Sequence, residues 1–156
     1  LERISDHAVN IVESAEEIAD KKMEFSEEAR RELGILRDAI REILDITEAA
    51  FLNNDIEKAR LVEPLEQVID GLKSKIKRNH IRRLQNNECT IENGFILADI
   101  LNNFERVSDH CSNIAECVIE IAEKELIDTH KYMREIKSED SAFEEKYKEY
   151  KGKYNI

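Results

Sequence analysis

Six acidic residues at helical spacing are the positions of this chain best suited to chemistry. Glu2 and Asp6, Glu105 and Asp109, and Glu66 and Asp70 each stand four residues apart, which on a helix stacks the two carboxylates one turn apart on one face. Two such carboxylates repel each other by a few tenths of a kcal/mol. A hard cation such as Mg, Mn or oxidised Fe turns that repulsion into binding, because carboxylate oxygens are the ligands it prefers. Glu63 extends the middle patch, and if antiparallel neighbours set Glu66 and Asp70 beside Glu105 and Asp109, four carboxylates converge. The same pairs also fit a solvated helix face, or inter-helix ion pairs with Arg3 and Arg106. Spacing alone does not choose, since 35 acidic residues produce further pairs such as Glu16 and Asp20.

What separates two of these pairs from the rest is repetition. The block from Glu2 to Ile11 returns from Glu105 to Ile114, with Glu, Arg, Ser, Asp, His and Asn in register. Solvated faces drift quickly, so a repeated polar pattern points to chemistry, and the repeat itself predicts a fold of duplicated units. Within the block, His7 and His110 fall on the border of the apolar stripe. They suit half-buried imidazoles bonded to a neighbouring helix, or metal ligands. Asn10 and Asn113 suit helix–helix hydrogen bonds. His80 and His130 read as ordinary surface or border histidines, and Cys111 and Cys117 as small core residues. Cys89, near a loop, is the thiol whose reactivity merits testing.

The elements that carry these residues follow from apolar periodicity. A first helix is predicted from about Leu1 to Lys22, with Leu1, Ile4, Ala8, Ile11, Ala15 and Ile18 in one stripe. Ser26 caps a second that ends at Asn53-Asn54. Asn54, with Glu57 three residues on, starts a third over about 55–85, in which Pro64 predicts a kink near Arg60–Leu61. Thr90 caps a fourth, over about 91–124, with Phe104, Val107, Cys111, Ile114, Val118 and Ile121 as its stripe. In the tail, Ser138 is a candidate cap for a short helix. Its Phe143, Tyr147, Tyr150 and Tyr154 share one face, either strapping the tail to the bundle or docking a partner. The fold class is all-α: an antiparallel bundle of four long helices over 1–124, followed by a tail over 125–156 with a short amphipathic helix.

Composition narrows the function. A net charge of −11 argues against a nucleic-acid partner, which needs a Lys/Arg excess. No apolar run reaches the roughly 20 residues that span a bilayer, so no direct membrane insertion is expected. Three cysteines without metal-type spacing suit reduced thiols of the cytoplasm. There is no Glu-x-x-His, no H-E-x-x-H, no Gly-rich phosphate loop and no nucleophile with an oriented base. An enzyme is therefore not expected, a metal-dependent phosphohydrolase included. The acidic stripes alone also suit a metal-storage or metal-sensing bundle. The chain begins at Leu1, directly on the repeated block, and reads as part of something longer.

Together, Leu1-Glu2-Arg3-Ile4-Ser5-Asp6-His7 and Phe104-Glu105-Arg106-Val107-Ser108-Asp109-His110, each followed by Asn-Ile, resemble the signature of the PhoU family, which regulates phosphate uptake. Phe51-Leu52-Asn53-Asn54-Asp55 resembles the turn between the first two helices of a repeat in that family, and the segment from Glu63 to Asp70 its acidic second helix. His80-Ile81-Arg82-Arg83-Leu84, Glu88-Cys89-Thr90 and the tyrosine-rich ending are similar to the PhoU-like domain appended to bacterial Na/Pi-cotransporter-type membrane proteins. The resemblance implies a bundle of three-helix repeats, residues 1–22 being the third helix of repeat one and residues 26–124 repeat two. It implies a non-enzymatic cytoplasmic regulatory domain whose partner is the transmembrane part of its own phosphate transporter. It also implies a metal site at Glu105, Asp109, Glu66 and Asp70, with Glu2 and Asp6 as half of a second. The helix completing that second site lies outside this sequence, which leaves an apolar edge along Leu1, Ile4 and Ile11. That edge predicts either collapse into a four-helix bundle or a partner-swapped homodimer.

Overall fold

A computed structural model describes residues 2–122 and 141–156. Among these residues every regular element is a helix: α1 Glu2–Asp20, α2 Glu27–Asn53, α3 Ile56–Gln85, α4 Ile91–Ala122 and α5 Ser141–Lys153. Leu1, Lys124, His130 and Ser138 lie outside the described residues.

The helix boundaries are set by short polar side chains. Ser26 accepts the Ala29 amide at 3.2 Å and opens α2, satisfying one of the backbone donors that a helix start leaves bare. Thr90 does the same for Asn93 at the start of α4, at 3.1 Å. The cap of α3 is Asp55, which takes the Lys58 amide at 3.1 Å, and not Asn54. Asn54 instead adopts φ 51° and closes α2, a left-handed conformation that asparagine tolerates better than most residues. α3 runs unbroken through the buried Pro64, giving up one backbone hydrogen bond.

Short connections make α2, α3 and α4 an antiparallel three-helix core. Its centre is Leu36, Ile40 and Ile43 of α2, Leu65, Ile69 and Ile76 of α3, and Leu97, Leu101, Cys111 and Ile119 of α4. A buried ion pair crosses it at one end, where Arg83 donates to Glu32 at 2.8 Å and Asn79 donates to the same carboxylate at 2.7 Å. Arg83 is 1% exposed. Removing either partner would strand a charge away from water.

α1 and α5 flank this core on different helices. α5 packs on α3 with Phe143, Tyr150 and Tyr154 buried, while Tyr154 and Lys153 both donate to Glu42 of α2. The aromatic face of the tail therefore straps it to the bundle. α1 lies along α4 through Ile4, His7, Ile11, Ser14 and Ile18, a seam stepping by three and four residues. Ala8 and Ala15, expected in that seam, are exposed. The polar His7 and Ser14 replace them because each finds a hydrogen bond, Ser14 by donating to the Asn10 carbonyl at 3.0 Å. The apolar surface that α1 leaves uncovered is Val9 and Val12, whereas Ile4 and Ile11 are half-buried.

Candidate functional site

The two copies of the repeated block meet. α1 runs antiparallel to α4, as Lys21 near the end of α1 binds Glu92 near the start of α4 at 2.8 Å. Where the blocks cross, His7 stacks on its own counterpart His110, with ring centroids 5.6 Å apart. Asn103 fixes the crossing. Its amide NH2 donates to the Asp99 carbonyl at 2.9 Å, leaving its oxygen to accept from Asn10 at 3.1 Å and from His7 Nδ1 at 2.9 Å. His7 thus carries its proton on Nδ1. Both histidines serve helix contact, and His110 is held below the usual imidazole range by burial first and by His7 second. Asn10 bonds across helices as expected, while Asn113 is exposed.

The acidic residues of the second copy point at α3. Asp70 is raised above the ordinary carboxyl range, first by desolvation and then by the charges of Glu105 and Asp109. Those two residues of α4 therefore face Asp70, as antiparallel packing requires. Lys73, one turn beyond Asp70, donates to Glu105 and partly offsets the repulsion. Arg106 reaches Asp109 at 3.5 Å along the outside of α4. Glu66 is half-buried one turn before Asp70. Glu63, the innermost acid of the patch, is buried and accepts from Ser112 of α4. Glu2 and Asp6 stand exposed on α1.

The donor chemistry of Asp70, Glu105 and Asp109 fits a hard cation. Among the described residues, however, no three side chains of His, Cys, Asp or Glu stand close enough to form a coordination shell. The positive charge facing Glu105 is the Lys73 ammonium. Its place was readable, since Glu66, Asp70, Lys73 and Lys77 recur by four, three and four residues along one face of α3.

Family comparison fits this arrangement of repeated helices. The PhoU domain family matches residues 33–118. The chain belongs to that family. Over 135 residues this PhoU domain is 30% identical to "Phosphate-specific transport system accessory protein PhoU homolog 1" of Thermotoga maritima, which covers 86% of the chain and 55% of that protein. Over 128 residues it is 25% identical to the "Phosphate-specific transport system accessory protein PhoU homolog" of Streptococcus pneumoniae, covering 82% of the chain and 58% of that protein. The PhoU domain described here spans a little over half the length of these relatives. No solved structure matches it.

Two further residues, His80 and Cys117, depart from their sequence reading. His80 is buried, with Nδ1 3.7 Å from the Cys89 sulfur and Nε2 lacking a hydrogen-bond partner. Desolvation, then the Arg83 charge, hold it below the usual range. Burial pushes the Cys89 thiol up, away from the thiolate form that reactivity requires. Cys117 is exposed and only Cys111 is a core thiol. Finally, no helix among the described residues is long and apolar enough to cross a membrane.

Proposed function

We infer that this PhoU domain is a regulatory module of phosphate transport, working through helix-face contacts and not through catalysis. The single observation that carries the reading is the meeting of the two signature blocks, His7 on His110, with the acids of the second block facing Asp70. The relatives it resembles are named as accessory proteins of phosphate-specific transport. The finer assignment is the cytoplasmic domain of a Na/Pi-cotransporter-like membrane protein, with the transmembrane part of that protein as partner. The ending rich in tyrosine and the segment around His80 to Thr90 support it. A hard cation, Mn, Mg or Fe, is proposed at Asp70, Glu105, Asp109 and Glu66, in competition with the Lys73 ammonium. Glu2 and Asp6 would supply half of a second site.

The test is phosphate uptake by cells whose own copy of the gene carries Asp70→Asn, Glu105→Gln and Asp109→Asn together. Regulation of uptake by external phosphate should be lost while the domain still folds, as judged by circular dichroism. Uptake that responds to phosphate as in the unaltered strain would refute the role of these residues. Metal content separates a metal-storage bundle, since a regulator binds a small fixed number of cations and a store does not.

A further inference from the structure

α3 carries a basic run that the rest of this acidic chain does not prepare for. Residues 73–83 hold six Lys or Arg and no acid. Some of these charges are internally engaged: Lys73 on Glu105, Lys75 on Asn155 and Arg83 on Glu32. Lys77 is exposed and makes no ion pair among the described residues.

Lys77 borders a groove of about 350 Å³ between α3 and α4, lined by residues of those two helices alone. Its floor is the buried Leu97 and Leu101, and its lips are Ile81, Ile91 and Phe95. Ile91 and Phe95 are 71% and 69% exposed, far more than large apolar side chains of a well-covered helix pair. The lining runs from Lys73 to Leu84 on α3 and from Ile91 to Asn102 on α4. At 1.5 Å per residue each wall is about 16 Å long, or three helical turns. Because α3 and α4 are antiparallel, the groove is polarised. Leu84 and Ile91 close an apolar end, and Lys77 stands toward the other as the cation of the lining left without an ion pair among the described residues, Lys73 being held by Glu105.

We propose that this groove is a docking site for an amphipathic helix of a partner protein, about three turns long, with an apolar face and acidic residues at one end. The elongated shape matches helix-in-groove recognition, in which apolar anchors at i, i+3, i+4 and i+7 enter the cleft. The unpaired Lys77 sets which end of the helix lies where, and it repels a basic partner. A membrane surface is the rival occupant, because the exposed lips Ile91 and Phe95 also suit a bilayer interface, and the vesicle arm of the test separates the two. The inference rests on the groove alone. Its failure leaves the acidic cluster, the family and the transport reading untouched.

The probe is a fluorescein-labelled synthetic helix of about four turns, with leucines at i, i+3, i+4 and i+7 and glutamates confined to its last turn. Anisotropy should show saturable binding, and the His80 ring resonance should shift, because His80 lies in the groove wall. Lys77→Glu and Phe95→Ser should each weaken binding by about fivefold or more, as should a peptide with lysines in place of the glutamates. Phe51→Ser, at an exposed apolar residue outside this groove, should leave binding unchanged. Circular dichroism melts of the variants confirm that each is folded. The proposal is overturned by the absence of saturable binding, by binding indifferent to Lys77→Glu, or by equal loss with Phe51→Ser. Lys77-dependent adsorption to vesicles of mixed phosphatidylcholine and phosphatidylglycerol, without peptide binding, would overturn it in favour of a lipid surface.

Discussion

Replacing Lys73 by methionine tests the acidic cluster most directly. The substitution keeps the apolar stem and removes the ammonium that faces Glu105. The two side chains are 20% and 31% exposed, so the pair falls between a solvated ion pair, worth up to about 1 kcal/mol, and a buried one, worth about 3–5 kcal/mol when broken. A loss of about 1.5 kcal/mol is expected, because Asp70, Glu105 and Asp109 are then left without that counter-charge. For a domain of this size it lowers Tm by about 3–6 °C in the presence of a chelator. Manganese should reverse the loss. A cation at ten times its Kd stabilises by about 1.4 kcal/mol, nearly the whole deficit. In the unaltered domain the cation must first displace Lys73, so Lys73→Met should bind manganese about tenfold more tightly. Differential scanning calorimetry and isothermal titration measure both quantities. Equal manganese affinity in the two proteins, or an unchanged Tm in chelator, would refute the competition between lysine and cation.

Further expectations concern protons and packing. Asp70→Asn should raise Tm at neutral pH. Its folded pKa is raised, so the native state loses stability as pH climbs past the ordinary aspartate value, and the gain should vanish near pH 3, where both states hold the proton. His80 and His110 have the opposite sense, because both are lowered from 6.5. Their contribution is complete above about pH 6.5 and is lost as pH falls below it, so His110→Gln should flatten Tm against pH in that window. Arg83→Ala should cost about 3–5 kcal/mol in urea unfolding, and Glu32→Leu with Arg83→Met should recover most of it. Gly94→Ala should destabilise by about 1–3 kcal/mol, as its methyl would come within 2.7 Å of His80 Nε2. Gly71→Ala meets nothing within 4 Å and should stabilise by about 0.5–1 kcal/mol.

Helix positions were legible because their signals are local. Ser26 and Thr90 cap where their spacing indicates, and the tyrosine face of the tail buries as its period demands. Asn54 and Asp55 compete for one cap, and the contest is settled by which of them must turn the chain left-handed, a matter of loop closure that single-residue preferences do not weigh. In the α1 seam Ile4, Ile11 and Ile18 lie where their period puts them, and only Ala8 and Ala15 give way to polar neighbours. His7 and Ser14 enter the seam once Asn103 and a backbone carbonyl satisfy them, and those partners exist only in three dimensions. The same blindness hid Arg83 with Glu32 and the burial of His80, since a charge or imidazole is placed inside by its partner and not by its own chemistry. At the acidic cluster, spacing sets Glu66 and Asp70 beside Glu105 and Asp109 only if the helices pack antiparallel, and of these Asp70 feels the charges of Glu105 and Asp109. Lys73 was passed over, although it occupies the next position of the same stripe.

His7 resting on His110 has a geometric meaning beyond the contact itself. Like meets like here because the two copies lie on helices that run in opposite directions, Lys21 reaching Glu92 at the far end. A change at either histidine is therefore felt first by its own copy across the α1–α4 junction.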